Sequence, residues 1–208
     1  MTRILYLHGF ASGPASRKAR YFSQRLEAAG ARVRVPDLAR GDFPHLTITS
    51  QLQLVEQVAS GEPVALVGSS MGGYLAAIYA ARHPEVTRLV LLAPAFGFAH
   101  HWPERLGAES LELWRSTGWM NFFHYGDDCN RAVSYDLLTD GMQYEEFPDF
   151  WQPALIFHGA HDDVVPVELS RRFVAGHPNA ALEIVDSGHE MLDVLESIGP
   201  KATGFLLA

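Results

Sequence analysis

The sequence predicts an α/β architecture in one domain: a mainly parallel sheet of about six strands, helices on both faces, and one short insertion. Three observations carry this reading. Apolar runs of strand length alternate in strict order with segments of helix length, on both sides of a single interruption. Strands joined through helical crossovers pair in parallel, which leaves both faces of the sheet to be covered. Finally, the run Val64-Ala65-Leu66-Val67 breaks into Gly68-Ser69-Ser70-Met71-Gly72 and then into an Ala-rich segment. That is the pattern of a buried strand, a very tight turn and a helix.

Taken in order, residues 3–7 form the first strand and end in His8-Gly9-Phe10. After a loop over 11–15, Ser16 is placed to N-cap a helix reaching about Ala29. Ala19, Phe22, Leu26 and Ala29 share one face of it, and Gly30 closes it. Residues 31–35 alternate like a strand and stop at Pro36-Asp37. Gly41, Asp42 and Pro44 mark 38–46 as a loop, and a helix over about 47–60 leads to the strand before Ser70. The helix after Ser70 ends near His83-Pro84, and 87–93 is the next buried strand.

The rhythm is lost over about 97–150, a stretch dense in aromatic residues. A short helix over 106–116 is expected there. A hairpin should follow, with arms at 118–125 and 132–144 around Gly126-Asp127-Asp128. Some 50 residues are few for an independent core, so this segment is expected to be a cap bordering the ligand crevice. Trp119 and Phe122 are its candidate substrate-binding residues. The alternation then resumes with a strand at 154–157, a helix at 167–175, a strand at 181–185 and a closing helix from about Glu190.

The 208 residues, 48% hydrophobic and 19% charged, suit one globular domain with a substantial core. A formal net charge of −8 argues against nucleic acid or an anionic membrane surface as the main partner. No apolar run approaches the roughly 18 residues that span a bilayer. The chain passes from Met1-Thr2-Arg3 straight into a strand, so no signal peptide is expected. A single cysteine, Cys129, excludes an intrachain disulfide and suits a reducing compartment, so the expected location is the cytoplasm. Neither a metal-ligand cluster nor a phosphate-binding glycine loop stands out, and no cofactor or metal is expected. Nothing in the sequence indicates an oligomeric state.

The chemistry centres on Ser70. Gly68 and Gly72 flank the turn where a Cβ would collide with a neighbouring element. Ser70 would sit at the apex with its hydroxyl lifted clear, and the Met71 amide at the helix start would face an oxyanion. A serine nucleophile needs a base beside it. Of the ten histidines, His83 and His177 precede proline at helix ends and should be exposed. His100, His101 and His124 fall in the insertion, mainly at the surface. His189 lies just beyond the last strand, at the same sheet edge as Ser70, and is the expected base. The acid should also come from a strand end, where Asp162 and Asp163 are both candidates. Through its backbone amide, Phe10 would be the second oxyanion donor, with His8 bracing that loop.

The strings "LHGF", "GSSMGG", "HGAHDDVVP" and "SGHEM" occur in this order, and through them the whole chain resembles the α/β-hydrolases. The resemblance implies that the acid is the fifth residue of His-Gly-x-x-Asp-x-x-Val-Pro, which is Asp162. Asp163 is then left solvated, or capping or bracing the Val164-Val165-Pro166 turn. The opening "YLHGFASGPASRKA" is similar to small YqiA-like esterases. The C-terminal half, with its modest cap, looks more like short abhydrolase-domain thioesterases that remove fatty acyl groups from protein cysteines. The chain departs from the wider superfamily in lacking a leading hairpin, and from YqiA-like proteins in having an insertion. The resemblance implies a serine hydrolase that cleaves an ester or acyl thioester through an acyl-enzyme, on a small-molecule or acylated substrate. Its alternatives are C–C bond or amide cleavage on the same triad, or a non-catalytic ligand-binding protein.

Overall fold

A computed structural model describes residues 1–208. Six strands form one sheet: β1 (Arg3–Leu7), β2 (Arg32–Arg34), β3 (Val64–Ser69), β4 (Val86–Leu92), β7 (Ala154–Gly159) and β8 (Ala180–Val185). Their spatial order is β2-β1-β3-β4-β7-β8, and every neighbouring pair is parallel. Side chains alternate across the sheet, as the pleat requires. In β1, Leu5 and Leu7 join one core while Ile4 and Tyr6 join the other. In β3, Leu66 goes with the first pair and Val67 with the second.

Helices α1 (Arg17–Ala28) and α8 (Leu195–Leu207) cover the face of Ile4 and Tyr6. The opposite face packs on α2 (Ile48–Ala59), α3 (Met71–Arg82) and α7 (Val167–Gly176). Local chemistry accounts for the helix ends. Ser16 accepts a hydrogen bond from the Ala19 amide, and Thr47 and Ser50 form a reciprocal capping box on α2. Gly30 takes φ +88° just past α1. On α1, Ala19, Phe22 and Leu26 are buried, but Ala29 is exposed, one residue beyond the helix. No helix is long and apolar enough to cross a membrane.

The segment between β4 and β7 holds α4 (Phe98–Leu106), α5 (Ala108–Thr117), the hairpin β5 (Trp119–His124) and β6 (Cys129–Ser134), and α6 (Asp136–Gly141). Its buried residues Phe98, Trp114, Val133 and Leu137 belong to the same core as α2, α3 and α7. Hydrogen bonds fasten it down. Trp114 Nε1 donates to Val133 O at 3.0 Å, Tyr74 OH to Glu145 O at 2.6 Å, and Thr49 Oγ1 to Asp140 Oδ1 at 2.6 Å.

The structure departs from the sequence expectation in three places. Helix α4 is not expected, because Pro103 lies inside it and reads as a breaker. Phe98 and Trp102, one turn apart with ring centroids at 5.3 Å, hold the helix in spite of it. The second hairpin arm was expected at 132–144. It ends instead at Ser134, and α6 follows with Gly141 packed directly under Phe98. Last, α8 begins at Leu195 rather than near 190, because Met191 is buried in a left-handed conformation, φ 49°.

Candidate functional site

Fully buried β3 delivers Ser70 to the carboxyl edge of the sheet. There Ser70 adopts φ 54° and ψ −118°, a backbone region that costs on the order of 1–3 kcal/mol for a non-glycine residue. Its neighbours hold it in place. The Ser70 amide donates to Leu92 O at 2.8 Å, and its carbonyl accepts from the Gly73 and Ala95 amides at 2.9 and 3.0 Å. A Cβ on Gly68 would run into the Gly72 carbonyl, and one on Gly72 into the Leu7 carbonyl. Only glycine lets β1, β3 and α3 approach so closely.

The strand ends beyond β4 bring two more groups to this serine. His189 Nε2 lies 3.1 Å from Ser70 Oγ, and His189 Nδ1 lies 2.7 Å from Asp162 Oδ2. With Asp162 ionised, Nδ1–H donates to it and the Nε2 lone pair is left to accept from the serine hydroxyl. The Asp162 side chain is fully buried. Burial alone would raise its pKa. Contacts from His158 and His189, the neighbouring imidazole charge and the Val165 amide outweigh that and hold the carboxyl well below the usual range. Its other oxygen, Oδ1, accepts from the Val164 and Val165 amides at 2.8 and 2.7 Å. Asp162 therefore braces the turn that Asp163 was expected to brace. Asp163 is exposed and takes no part.

Two amides belong to the segments that flank Ser70. Met71 opens α3, where an amide has no intrahelical partner. The Phe10 amide donates to no backbone carbonyl, and Gly9 packs so close that its Cβ would sit 3.4 Å from Ser70 Cβ. His8 braces this loop in its neutral form. Its Nδ1–H donates to Gly9 O at 3.0 Å and its Nε2 accepts from the Leu38 amide at 3.2 Å, while burial lowers its pKa.

The Phe10 ring reaches into the insertion. Its centroid lies 5.3 Å from Phe43, 5.3 Å from Trp102 and 5.1 Å from Phe122. Trp119 does not join this wall. The two-residue period of β5 turns Met120, Phe122 and His124 inward and Trp119 outward, where it is 44% exposed against His45.

Other histidines differ from expectation. His83 stacks on Tyr79 at 3.8 Å and His177 on Phe173 at 3.9 Å, so both are packed rather than exposed. His124 is buried against Phe43. A Tyr or Phe four residues ahead of each helix-end histidine was the available signal. Two groups near the site have no role in the sequence reading: His158, which opens the His-Gly-x-x-Asp motif and contacts Asp162, and Lys18, whose Nζ lies 3.4 Å from Glu190 Oε2. Burial lowers the Lys18 pKa, and Glu190 offsets part of that. No three His, Cys, Asp or Glu side chains converge to hold a metal ion.

Fold and site together place the chain in the α/β-hydrolase class. Within that class it belongs to the uncharacterised protein family UPF0227, whose sequence model matches residues 3–202. A Pseudomonas putida protein named 2-hydroxy-6-oxononadienedioate/2-hydroxy-6-oxononatrienedioate hydrolase 2 is 27% identical, over 89% of this chain and 80% of that protein. Est1E of Butyrivibrio proteoclasticus, solved with ferulic acid bound, superposes with a TM-score of 0.82 at 18% identity. That match covers 100% of this chain and 88% of Est1E. The Paleococcus ferrophilus monoacylglycerol lipase superposes with a TM-score of 0.78 at 17% identity, covering 99% of this chain and 93% of the lipase.

Proposed function

We propose that this protein is a serine hydrolase that cleaves a carboxylic ester or an acyl thioester through an acyl-enzyme on Ser70. One observation carries the reading: an unbroken relay from a buried carboxylate, through His189, to a serine held in a strained turn beside two unpaired amides. Ser70 Oγ attacks the acyl carbon as His189 Nε2 takes its proton. The carbonyl electron pair moves onto oxygen, where the Phe10 and Met71 amides donate to it. Collapse expels the alcohol or thiol, which leaves with the proton from His189. Water then repeats the sequence, releasing the acid and restoring Ser70. Every group needed belongs to the chain itself, so no cofactor enters.

The wall of Phe10, Trp102 and Phe122 suits an apolar or aromatic group on a small-molecule or acylated substrate. Likeness to a monoacylglycerol lipase and to a protein solved with an aromatic acid bound supports an ester. A second reading, C–C bond cleavage on the same triad, is favoured by the name of the Pseudomonas putida relative. A panel of aryl esters, acyl thioesters and vinylogous diketones tests both. Ser70→Ala should lower ester turnover on the order of 10⁴-fold or more while the protein stays folded. Near-wild-type turnover by that variant overturns the reading. Turnover of the diketones alone moves the assignment to C–C cleavage.

A further inference from the structure

One carboxylate oxygen in the site lies against two imidazoles. His189 Nδ1 lies 2.7 Å from Asp162 Oδ2, and His158 Nε2 lies 3.2 Å from the same atom. His158 is the fifth residue of β7 and its side chain is fully buried. Its Nε2 also lies 2.9 Å from Val165 O, toward which the N–H is directed, and its Nδ1 lies 2.7 Å from Ser170 Oγ. Because Nε2 faces two oxygens that can only accept, it must carry a hydrogen. In the neutral ring Nδ1 then accepts from the Ser170 hydroxyl, which fixes the tautomer from behind. The ring is a locked donor at the back of the acid.

We propose that His158 is a positioning residue for the acid–base pair. With the positive edge of its ring 3.2 Å from Oδ2, it stabilises the carboxylate charge and so limits how tightly Asp162 can hold the His189 imidazolium. It thereby sets the pH above which His189 is free to take the Ser70 proton. The inference rests on the acyl-transfer reading given above.

The surroundings make the effect separable from simple support of the fold. Asp162 Oδ1 is pinned independently by the Val164 and Val165 amides, so the carboxylate keeps its place without His158. The charges facing the pair from other elements are few. Lys18 of α1 is paired with Glu190 on the His189 loop. His161 is drawn to Asp186 at the surface, 2.9 Å away, and Asp163 is exposed. None of these competes for Oδ2. The Asp162 carboxyl is held below its usual pKa range, and the His158 contact is among the causes.

The direction follows from the sharing. Without His158, Oδ2 is left to His189 alone and the imidazolium is held more strongly. The acidic limb of the acylation rate should then move to higher pH. The test is the single-turnover acylation rate against pH, with an aryl ester, for the wild type, His158→Leu and His158→Gln. His158→Leu should move the limb up by about half to one pH unit, a roughly three- to tenfold slower rate on the limb, with the plateau nearly unchanged. His158→Gln puts an amide N–H near the position of Nε2–H and should restore the wild-type limb. Should the leucine variant not fold, nitrogen-15 imidazole spectra of the wild type decide the matter. His158 must hold its hydrogen on Nε2 throughout the limb. A limb that does not move in folded His158→Leu, or a His158 with bare Nε2, overturns the inference. A wild-type protein that turns over without ever acylating brings down the acyl-transfer reading, and this inference with it. Acylation with an unmoved limb brings down the inference alone.

Discussion

The serine elbow and the 97–150 insertion meet at Phe10, yet different physics holds each. At the elbow, backbone packs on backbone: a single methyl on Gly72 would run into the Leu7 carbonyl. The insertion is held by side chains instead, through the hydrogen bonds above and a chain of ring contacts from Phe98 through Trp102, Trp114 and Phe122 to Phe10. Gly141 there abuts the flexible edge of the Phe98 ring, while Gly107 and Gly118 have open space around them and serve only their positive φ of +78° and +79°. Side-chain packing tolerates compensated change far better than backbone overlap does. The Ser70 side is therefore rigid and the 97–150 side can be revised, so under the proposed function substrate choice could change without disturbing the chemistry.

The largest effect expected from this contrast is on folding. Gly72→Ala should cost well over about 3 kcal/mol or prevent folding, since no flexible side chain can give way. Gly118→Ala, strained but unobstructed, should cost about 1 kcal/mol. Denaturant melts of the two variants measure the difference. Equal costs would erase the distinction between the regions.

Next in size is the pair of adjacent aspartates on the rigid side. Asp162→Asn should slow acylation by up to roughly 10⁴-fold, because it spoils the His189 tautomer and leaves the imidazolium uncompensated. Asp163→Asn should stay near wild type in rate and within about 0.5 kcal/mol in stability. Stability should also respond to acid with a definite sign. The folded Asp162 carboxyl is held below its usual range. Its contribution is thus complete above a pH of about 4 and is lost as pH falls below that. The stability gap between the wild type and Asp162→Asn should therefore narrow from about pH 5 to pH 2. A gap independent of pH, or the reverse ranking in acylation, would move the acid to Asp163.

The smallest effects belong to the insertion. Phe122→Ala should raise KM and flatten any acyl chain-length preference, with each buried CH₂ worth about 0.8 kcal/mol. Trp119→Ala, on the outer face of the same strand, should leave that preference unchanged. A chain-length series in kcat/KM separates them. If Trp119→Ala shifts the preference and Phe122→Ala does not, substrate binds on the other face of the hairpin.

The same contrast explains what the sequence revealed. Gly68, Ser70 and Gly72 are legible because a tight strand–turn–helix leaves few residue types able to occupy each position. His189 and the pair Asp162–Asp163 are legible because parallel strands end at one edge, so chain order translates into proximity; only the resemblance to the α/β-hydrolases chooses Asp162 from the pair. Nothing so short-ranged marks the insertion. Pro103 hid α4, and Trp119 and Phe122 look alike until strand register assigns them opposite faces. His158 stands in the quoted His-Gly-x-x-Asp motif, but it lies within β7, and only the fold shows that its ring reaches back to Asp162.

The account stands most directly on the bond it places at Ser70. The measurement is rapid-quench intact-mass spectrometry during turnover of an aryl ester, followed by mapping of the acylated peptide. The account predicts a burst of one acyl group per chain on the peptide carrying Ser70, and no such burst in Ser70→Ala. Continued turnover with no adduct in the wild type, or an adduct that survives in Ser70→Ala, would contradict it.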